Sequence, residues 1–227
     1  MLCPAFPWKV KNGGRMNIIQ IIKTAPGVFL FRCYARFAYG LQFRIATPED
    51  MAALYRFRFD VYTGEGYVNP EDYPDKLFSD QFDPYSASVI TLKNARIIGC
   101  GRATHYSELG LPVMQFFSVK LPAEIDWPSV VEMGRFMVDP QYRGKARLAT
   151  LGMSLQLSAY VRRDSSVKWL IAFMSEKVRS AFYEIVPFGI LDENSPSKAQ
   201  LAARTQRQGY WDKGKIHPVI AESSRLL

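Results

Sequence analysis

The segment from Val138 to Arg147, "VDPQYRGKAR", has the residue types of an anion-binding turn and lies between an apolar strand pattern and an apolar helix pattern. A helix beginning at Gly144 leaves backbone N–H groups unpaired in its first turn, and its dipole adds roughly half a positive charge. Arg143, Lys145 and Arg147 add charge, and the glycine lets an anion approach the backbone. The segment predicts a phosphate site, although an ordinary strand-to-helix turn with solvated cations would look similar.

The six residues "QYRGKA" resemble the Q/R-x-x-G-x-G/A signature of the GCN5-related N-acetyltransferases, the GNAT superfamily. In that superfamily the loop holds the pyrophosphate of coenzyme A or the phosphopantetheine arm of a carrier protein. Ala146 stands where glycine is usual, which the pattern allows. The residues predicted to bind the acyl donor are Val138, Gln141, Arg143, Gly144, Lys145, Ala146 and Arg147.

A second segment, "FYEIVPF", resembles the "YEKLGF" segment of the same superfamily. The resemblance puts Tyr183 where many members keep a general acid for the leaving thiolate, and Pro187 where glycine is usual. A half-buried tyrosine on a helix is the alternative role for Tyr183.

Six charged residues match, in order, a branch of that superfamily: the acyl-homoserine-lactone synthases and the related N-acyl amino acid synthases. The matching residues are Arg58, Asp80, Asp83, Arg102, Glu132 and Arg135. Taken singly, each could be a loop cap or a structural ion pair. The synthases usually have Phe and Trp where this chain has Tyr62 and Tyr67, a departure that favours acylation of an ordinary amino acid over lactone formation.

The resemblance implies an N-acyltransferase in which an amine attacks an acyl thioester supplied by acyl-carrier protein or acyl-CoA, with no tightly bound cofactor. An α-amino group has a pKa of roughly 8, so that a base is needed, and Glu132 is the candidate. The arginines and carboxylates would compensate one another in a cleft, and an arginine fork could bind an amino acid's carboxylate. Backbone N–H groups at positions 136–138 could polarise the thioester carbonyl.

Two other functions fit the same residues. The first is a lactone-forming autoinducer synthase, which would require S-adenosylmethionine. The second is a non-catalytic module that binds acyl chains or a membrane. The apolar segments at 113–119 and 169–173 would line an acyl tunnel in an enzyme, or simply form core. An acidic carrier protein would suit a basic surface around Arg143, Lys145, Arg147, Arg162 and Arg163.

The composition excludes several other classes of protein. The three cysteines form no CxxC pair and the chain has only two histidines, so that neither a disulfide framework nor a metal site is indicated. The basic residues do not follow a nucleic-acid-binding motif. A reducing, cytoplasmic compartment is the default expectation.

The basic character lies mainly at the N-terminus, because no acidic residue precedes Glu49. The run "VFLFRCYARFAYGL" is too short and too interrupted by Arg32 and Arg36 to span a membrane. It either packs on the domain or lies on an acidic membrane or protein surface. We therefore predict a basic, aromatic-rich extension over residues 1–40 and an acyltransferase domain over residues 41–227.

The predicted elements alternate as strand, helix, hairpin, strand, helix, strand, helix and strand, which indicates an α/β fold. The fold class is a GNAT-like mixed central sheet flanked by helices, in a single domain. The residues from Gly64 to Phe82 are predicted to form a long loop too polar for the core. A helix with an apolar face at Leu148, Leu151, Leu155 and Ala159 should follow the phosphate turn.

The strand "VVEMGRFMV" presents a problem for the predicted site. Successive side chains of a strand point to opposite faces, so that Glu132 and Arg135 should emerge on different sides of the sheet. A β-bulge beside Gly134 would bring them together.

Overall fold

The computed structural model describes residues 25–182, 186–206, 211 and 215–225. Its helices are α1 (Ala25–Tyr39), α2 (Met51–Gly64), α3 (Ala146–Val161), α4 (Glu176–Phe182) and α5 (Lys198–Gln206). Its strands are β1 (Gln42–Ile45), β2 (Ser86–Lys93), β3 (Arg96–His105), β4 (Ser118–Val119), β5 (Val130–Val138), β6 (Trp169–Ser175), β7 (Gly189–Ile190), β8 (Glu193–Asn194) and β9 (Ile216–Glu222).

Seven of these strands form one mixed sheet in the order β1-β2-β3-β5-β6-β9-β7, while β4 pairs with β8 separately. Neighbouring strands of the large sheet are antiparallel, except that β5 and β6 are parallel. The hairpin between β2 and β3 turns at Asn94 and Ala95, both with a positive φ. The predicted α/β class with a mixed central sheet is confirmed.

Helices cover both faces of the sheet because alternate strand residues point in opposite directions. On β2, Val89 packs in the cluster that holds Met153 and Leu157 of α3. Its neighbour Ile90 packs in the cluster that holds Leu54 and Phe57 of α2. The side chains of α2 and α3 are therefore separated by the sheet, whose strands carry Arg102, Glu132 and Arg135.

Helix α3 begins two residues later than predicted, after a 3-10 turn over Pro140–Lys145. Its predicted apolar face was wrong at Ala159, which is exposed, whereas Ser154 and Ser158 are buried. The reason is that α3 is covered on two sides. The sheet covers one of them, and α1 covers the other.

Helix α1 packs on α3 through its aromatic and small side chains. Phe31 and Ala35 are buried in a cluster with Leu151 and Leu155 of α3 and with Ile98 of β3. Packing on the domain, one of the two fates left open for the aromatic run, is therefore seen for this face of α1. None of the helices in the described ranges has the length and apolar character that a bilayer crossing requires.

The long loop between α2 and β2 is present, but the expectation that it is too polar for the core was wrong. Phe78 and Phe82 are each only 1% exposed. The Phe78 ring stacks on Tyr62 of α2 with the ring centroids 4.6 Å apart. These two anchors fix the loop on either side of Asp80, because burying an aromatic side chain offsets the entropy of ordering the chain around it.

The C-terminal part differs most from the prediction. The segment "FGILDE", predicted as one closing strand, forms the short strands β7 and β8, and helix α5 was not predicted at all. Helix α5 docks through polar contacts: Gln200 Nε2 donates to the Met114 carbonyl at 2.9 Å, and Arg204 Nε donates to the Phe116 carbonyl at 2.8 Å. Its sequence lacks an apolar stripe, which explains why hydrophobic periodicity did not reveal it.

Candidate active site

A β-bulge in β5 brings the two charged residues of the E-x-x-R segment to one cavity. Cys100 of β3 pairs with Met137 and Arg102 pairs with Gly134, so that β5 has one residue more than β3 in this interval. Arg135 adopts a φ of 56°, in the left-handed region that favours glycine. Glu132 and Arg135 both line the same cavity. The predicted bulge beside Gly134 is confirmed.

The arginines of the predicted site are held by two aspartates from the loop before β2. Arg58 Nη1 donates to Asp83 Oδ1 at 2.7 Å, and its Nη2 donates to Ser88 Oγ at 2.9 Å. Arg102 Nη1 donates to Asp80 Oδ1 at 2.7 Å and to Asp83 Oδ1 at 3.1 Å. Arg58, Asp83 and Arg102 are buried, so each of these charges needs a neighbour of opposite charge to offset the cost of removing it from water.

Asp80 links the buried network to Arg135. Its Oδ2 accepts a hydrogen bond from Arg135 Nη2, and its Oδ1 accepts one from the backbone N–H of Phe82 at 3.0 Å. Burial alone would raise the pKa of Asp80, but Arg135 and Arg102 together lower it below the ordinary carboxyl range. Asp80 is therefore an ionised carboxylate shared by two guanidinium groups.

Glu132 lies apart from these ion pairs. Its Oε2 accepts a hydrogen bond from the Val113 backbone N–H at 2.6 Å, and within the described residues it forms no salt bridge. Burial raises the pKa of the Glu132 carboxyl to about 8, against the lowering effects of the Val113 N–H and of Arg102. The expectation that all six charges compensate one another was therefore wrong for Glu132.

The cavity has a volume of about 350 Å³ and opens where β5 and β6 separate. The two parallel strands pair only from Val130 to Glu132, although both continue for several residues. Residues 134–137 and 172–175, which follow the last residue pair between β5 and β6, line the cavity.

The rest of the cavity lining is largely apolar. From the two segments predicted to line an acyl tunnel, Phe116, Leu170 and Phe173 border the cavity. Val113 and Ile171 do not border it and belong to a core cluster that also contains Phe116. The lining also includes Ser154 and Ser158 of α3 and Trp211, which were not predicted. An apolar cavity with a few polar groups near one end is typical of a small-molecule site.

The predicted phosphate turn follows β5, and its described residues from Pro140 to Gly144 do not line this cavity. Gly144 has open space where a Cβ atom would be, because no atom of the described residues other than its chain neighbours lies within 4 Å. Arg143 donates to Glu65 at the end of α2. The turn's backbone contacts include Gln141 N–H to Asp139 Oδ1 at 2.9 Å. The side chains of Lys145, Ala146 and Arg147, and the whole of Tyr183, lie outside the described part of the chain.

Several contacts of the site were not foreseen from the sequence. Arg135 donates to the Tyr62 hydroxyl at 2.8 Å and lies over the Phe78 ring, with 4.8 Å from Cζ to the ring centroid. The spacing of Phe78 and Phe82 on either side of Asp80 was a usable signal, because such aromatics in a polar loop indicate anchoring. The Val113 N–H that holds Glu132 is a backbone group, and no residue type reveals it.

The chain matches one family of known proteins. Residues 53–198, more than half of the chain, match the family model of the N-acyl amino acid synthase FeeM. No curated protein sequence matches the chain.

Solved structures with a similar fold include an acyl-homoserine lactone synthase, FeeM itself and TofI. The CoA-dependent lactone synthase BjaI, solved with SAM and isopentyl-CoA, is similar with a TM-score of 0.57 and 16% identity, over 81% of this chain and 83% of that chain. FeeM, an N-acyl amino acid synthase from uncultured soil microbes, has a TM-score of 0.56 and 14% identity, over 81% of this chain and 91% of that chain. TofI, solved with an inhibitor and MTA, has a TM-score of 0.55 and 16% identity, over 81% of this chain and 91% of that chain.

The similar solved structures confirm the predicted fold. The family match shows in addition that the chain is an N-acyltransferase. It spans the loop with Asp80 and Asp83, the bulged strand with Glu132 and Arg135, and the turn at Gly144. The chain therefore belongs to the FeeM family of N-acyl amino acid synthases, a family of N-acyltransferases.

Proposed function

We propose that this enzyme transfers a fatty acyl group from an acyl thioester to the amine of an amino acid. The observation that carries the proposal is the position of Glu132, a carboxyl with a pKa of about 8 in an apolar cavity that Arg102 and Arg135 also line. A base with a pKa near the working pH is suited to accept the proton of an amine. The neighbouring arginines supply positive charge for an acidic substrate group.

The amino acid's carboxylate binds at Arg102 in this proposal. Both ion pairs of Arg102 use Nη1, and within the described residues its Nη2 makes no salt bridge. A carboxylate bound along that edge would bring its α-amino group into the cavity that Glu132 lines. Arg58 is the contrasting residue, because it belongs to the same network but is not among the described residues that line the cavity.

The reaction forms an N–C bond and breaks the C–S bond of the thioester. The amine nitrogen attacks the carbonyl carbon, and one amine proton passes to Glu132. The electron pair of the C–S bond leaves with the sulfur, and the thiolate receives a proton, for which Tyr183 remains the proposed donor. The backbone N–H groups of β5 at positions 136–138 are the proposed donors to the carbonyl oxygen.

The donor's arm lies along β5 in this proposal, because this strand joins the cavity to the phosphate turn. The six steps from Glu132 to Val138 span roughly 20 Å of strand. The open space at Gly144 and the cations Arg143, Lys145 and Arg147 would hold the donor's phosphate. The acyl chain would occupy the apolar part of the cavity beside Phe116 and Phe173. Acyl-carrier protein is the proposed carrier, with coenzyme A as the alternative.

The test is to incubate the purified chain with palmitoyl-carrier protein or palmitoyl-CoA and a mixture of amino acids, and to measure thiol release and N-acyl amino acids by mass spectrometry. Glu132→Gln is the control, since it keeps the shape and the acceptor for the Val113 N–H but removes the base. We expect an amide from the parent chain and little from the variant. Equal yields from both would remove Glu132 from the chemistry. A product that forms only with S-adenosylmethionine would instead identify a lactone synthase.

A further inference from the structure

Helix α1 exposes large apolar side chains on the side that faces away from the domain. Phe29 is 66% exposed, Leu30 is 41% exposed and Phe37 is 76% exposed. Successive helical residues are rotated by about 100°, which puts these three on one face, opposite the buried Phe31 and Ala35. Apolar side chains grouped in this way on a surface indicate an interaction site, unlike single exposed residues.

A basic edge borders this apolar face. Arg32 and Arg36 are exposed, lie one turn apart on α1, and line a recess of about 200 Å³ together with Arg44 of β1. Arg44 is neutralised by a bidentate ion pair with Asp50. Arg32 donates to the uncharged amide of Gln156, and in the described ranges neither Arg32 nor Arg36 has a carboxylate partner. Two positive charges are therefore uncompensated beside the recess.

Among the possible occupants, an anionic bilayer fits both features. A second copy docked through the same helix would bring arginines against arginines, because α1 and the residues before it contain no acidic residue. A helix whose apolar residues enter the acyl boundary while arginines at its edge reach the phosphates is typical of interfacial binding. We infer that the exposed face of α1 docks the enzyme on an anionic lipid bilayer, with lipid phosphate in the recess beside Arg32 and Arg36. This inference is independent of the acyl-transfer reaction.

The experiment is flotation of the full chain with vesicles of phosphatidylcholine alone and of phosphatidylcholine mixed with phosphatidylglycerol. We expect binding to the mixed vesicles, weakened by salt because screening reduces the attraction. Arg32→Gln and Arg36→Gln should each weaken binding about fivefold. The double variant Phe29→Ser, Phe37→Ser should abolish it. Matched controls are Arg56→Gln and Leu201→Ser, exposed residues on α2 and α5 that should leave binding unchanged.

Three results would overturn the inference. The first is equal binding to both kinds of vesicle, and the second is equal binding by all variants. The third is self-association without lipid that the double phenylalanine variant abolishes, which would make a second copy the occupant. Thiol release with a water-soluble acyl donor is measured for every variant. Retained release with lost vesicle binding supports the inference, and it separates docking from the acyl-transfer proposal.

Discussion

At the scale of single residues, the site carries an excess of positive charge at neutral pH. Three buried or largely buried arginines meet only two aspartates, because the third carboxyl, Glu132, has a pKa of about 8 and holds its proton. A net positive charge in a largely apolar cavity attracts an anionic substrate group. It also means that the proposed base loses its proton only as the pH approaches 8.

The raised pKa of Glu132 predicts that the stability of the protein falls as the pH rises. The folded protein binds this proton more tightly than the unfolded chain, whose carboxyl has the ordinary value of 4.5. Stability is therefore lost between about pH 4.5 and pH 8, on the order of 1 kcal/mol per pH unit. Glu132→Gln should remove this loss, and urea unfolding curves at pH 5 and pH 8 measure it.

The control for this prediction is Glu124→Gln, which changes an exposed carboxyl. We expect the control to follow the pH dependence of the parent chain. If Glu132→Gln and the parent chain lose the same free energy of unfolding between the two pH values, the carboxyl of Glu132 is not held protonated by the fold.

The position of Arg102 predicts a substrate-dependent defect. Arg102→Lys keeps the charge but loses the planar fork, so that KM for an amino acid should rise about ten- to a hundredfold. KM for the corresponding amine without a carboxylate should change little. Arg58→Lys, the matched control from the same network, should affect both acceptors alike. Steady-state kinetics with the two acceptors check this, and an equal rise for both with Arg102→Lys would contradict it.

At the scale of elements, the bulge in β5 and the turn after it decide where the proposed chemistry can occur. The bulge directs Arg135 toward Asp80, and the turn ends β5 at the proposed phosphate site. Both features depend on backbone conformation more than on side-chain type. A substitution that changes the backbone of the turn can therefore weaken ligand binding and leave the free energy of unfolding unchanged.

Gly144→Ala should weaken donor binding without harming the fold. Beyond its chain neighbours, the added methyl group meets no atom of the described residues within 4 Å, but it would occupy the space through which a phosphate approaches the backbone. We expect KM for the acyl donor to rise at least about tenfold, with the midpoint of urea unfolding nearly unchanged. Gly64→Ala at the end of α2, which also meets no atom within 4 Å, is the matched control and should leave donor KM unchanged.

Much of the site could be predicted at this scale, but its contacts could not. The pattern "EMGR" with a glycine inside the strand indicated a bulge, since glycine in a strand often marks one. It did not show that Arg135 itself would adopt the left-handed conformation. Nor could it show that Glu132 binds a backbone N–H in place of an arginine, because that choice depends on how a distant loop packs against the strand.

At the scale of the whole molecule, α1 packs on the core of the domain although it lies within the predicted N-terminal extension. The division into an extension of residues 1–40 and a domain of residues 41–227 stays a prediction. The strand and helix order around the sheet was accessible from the sequence, because periodicity and turn residues are local signals. The docking of α1 and α5 could not be predicted from the sequence, because each helix packs against residues that are distant along the chain.

Phe31→Ala tests whether α1 folds together with the domain. Phe31 is buried against α3, so that its truncation should lower the free energy of unfolding by about 3 kcal/mol. Phe37→Ala, the matched control on the exposed face of the same helix, should change it by less than about 0.5 kcal/mol. Urea unfolding followed by tryptophan fluorescence measures both. No loss with Phe31→Ala would mean that α1 is an appendage to an independently stable domain.

The short parallel pairing between β5 and β6 has a consequence for the enzyme's resting form. Only three residue pairs join the two strands, so that the two halves of the central sheet are connected by a short stretch of backbone pairing. A ligand whose amides hydrogen-bond to the facing edges would complete the missing ladder. The acyl donor would then be a temporary strand of the protein, and the loaded enzyme would be stiffer than the free one at the place where bonds are made and broken.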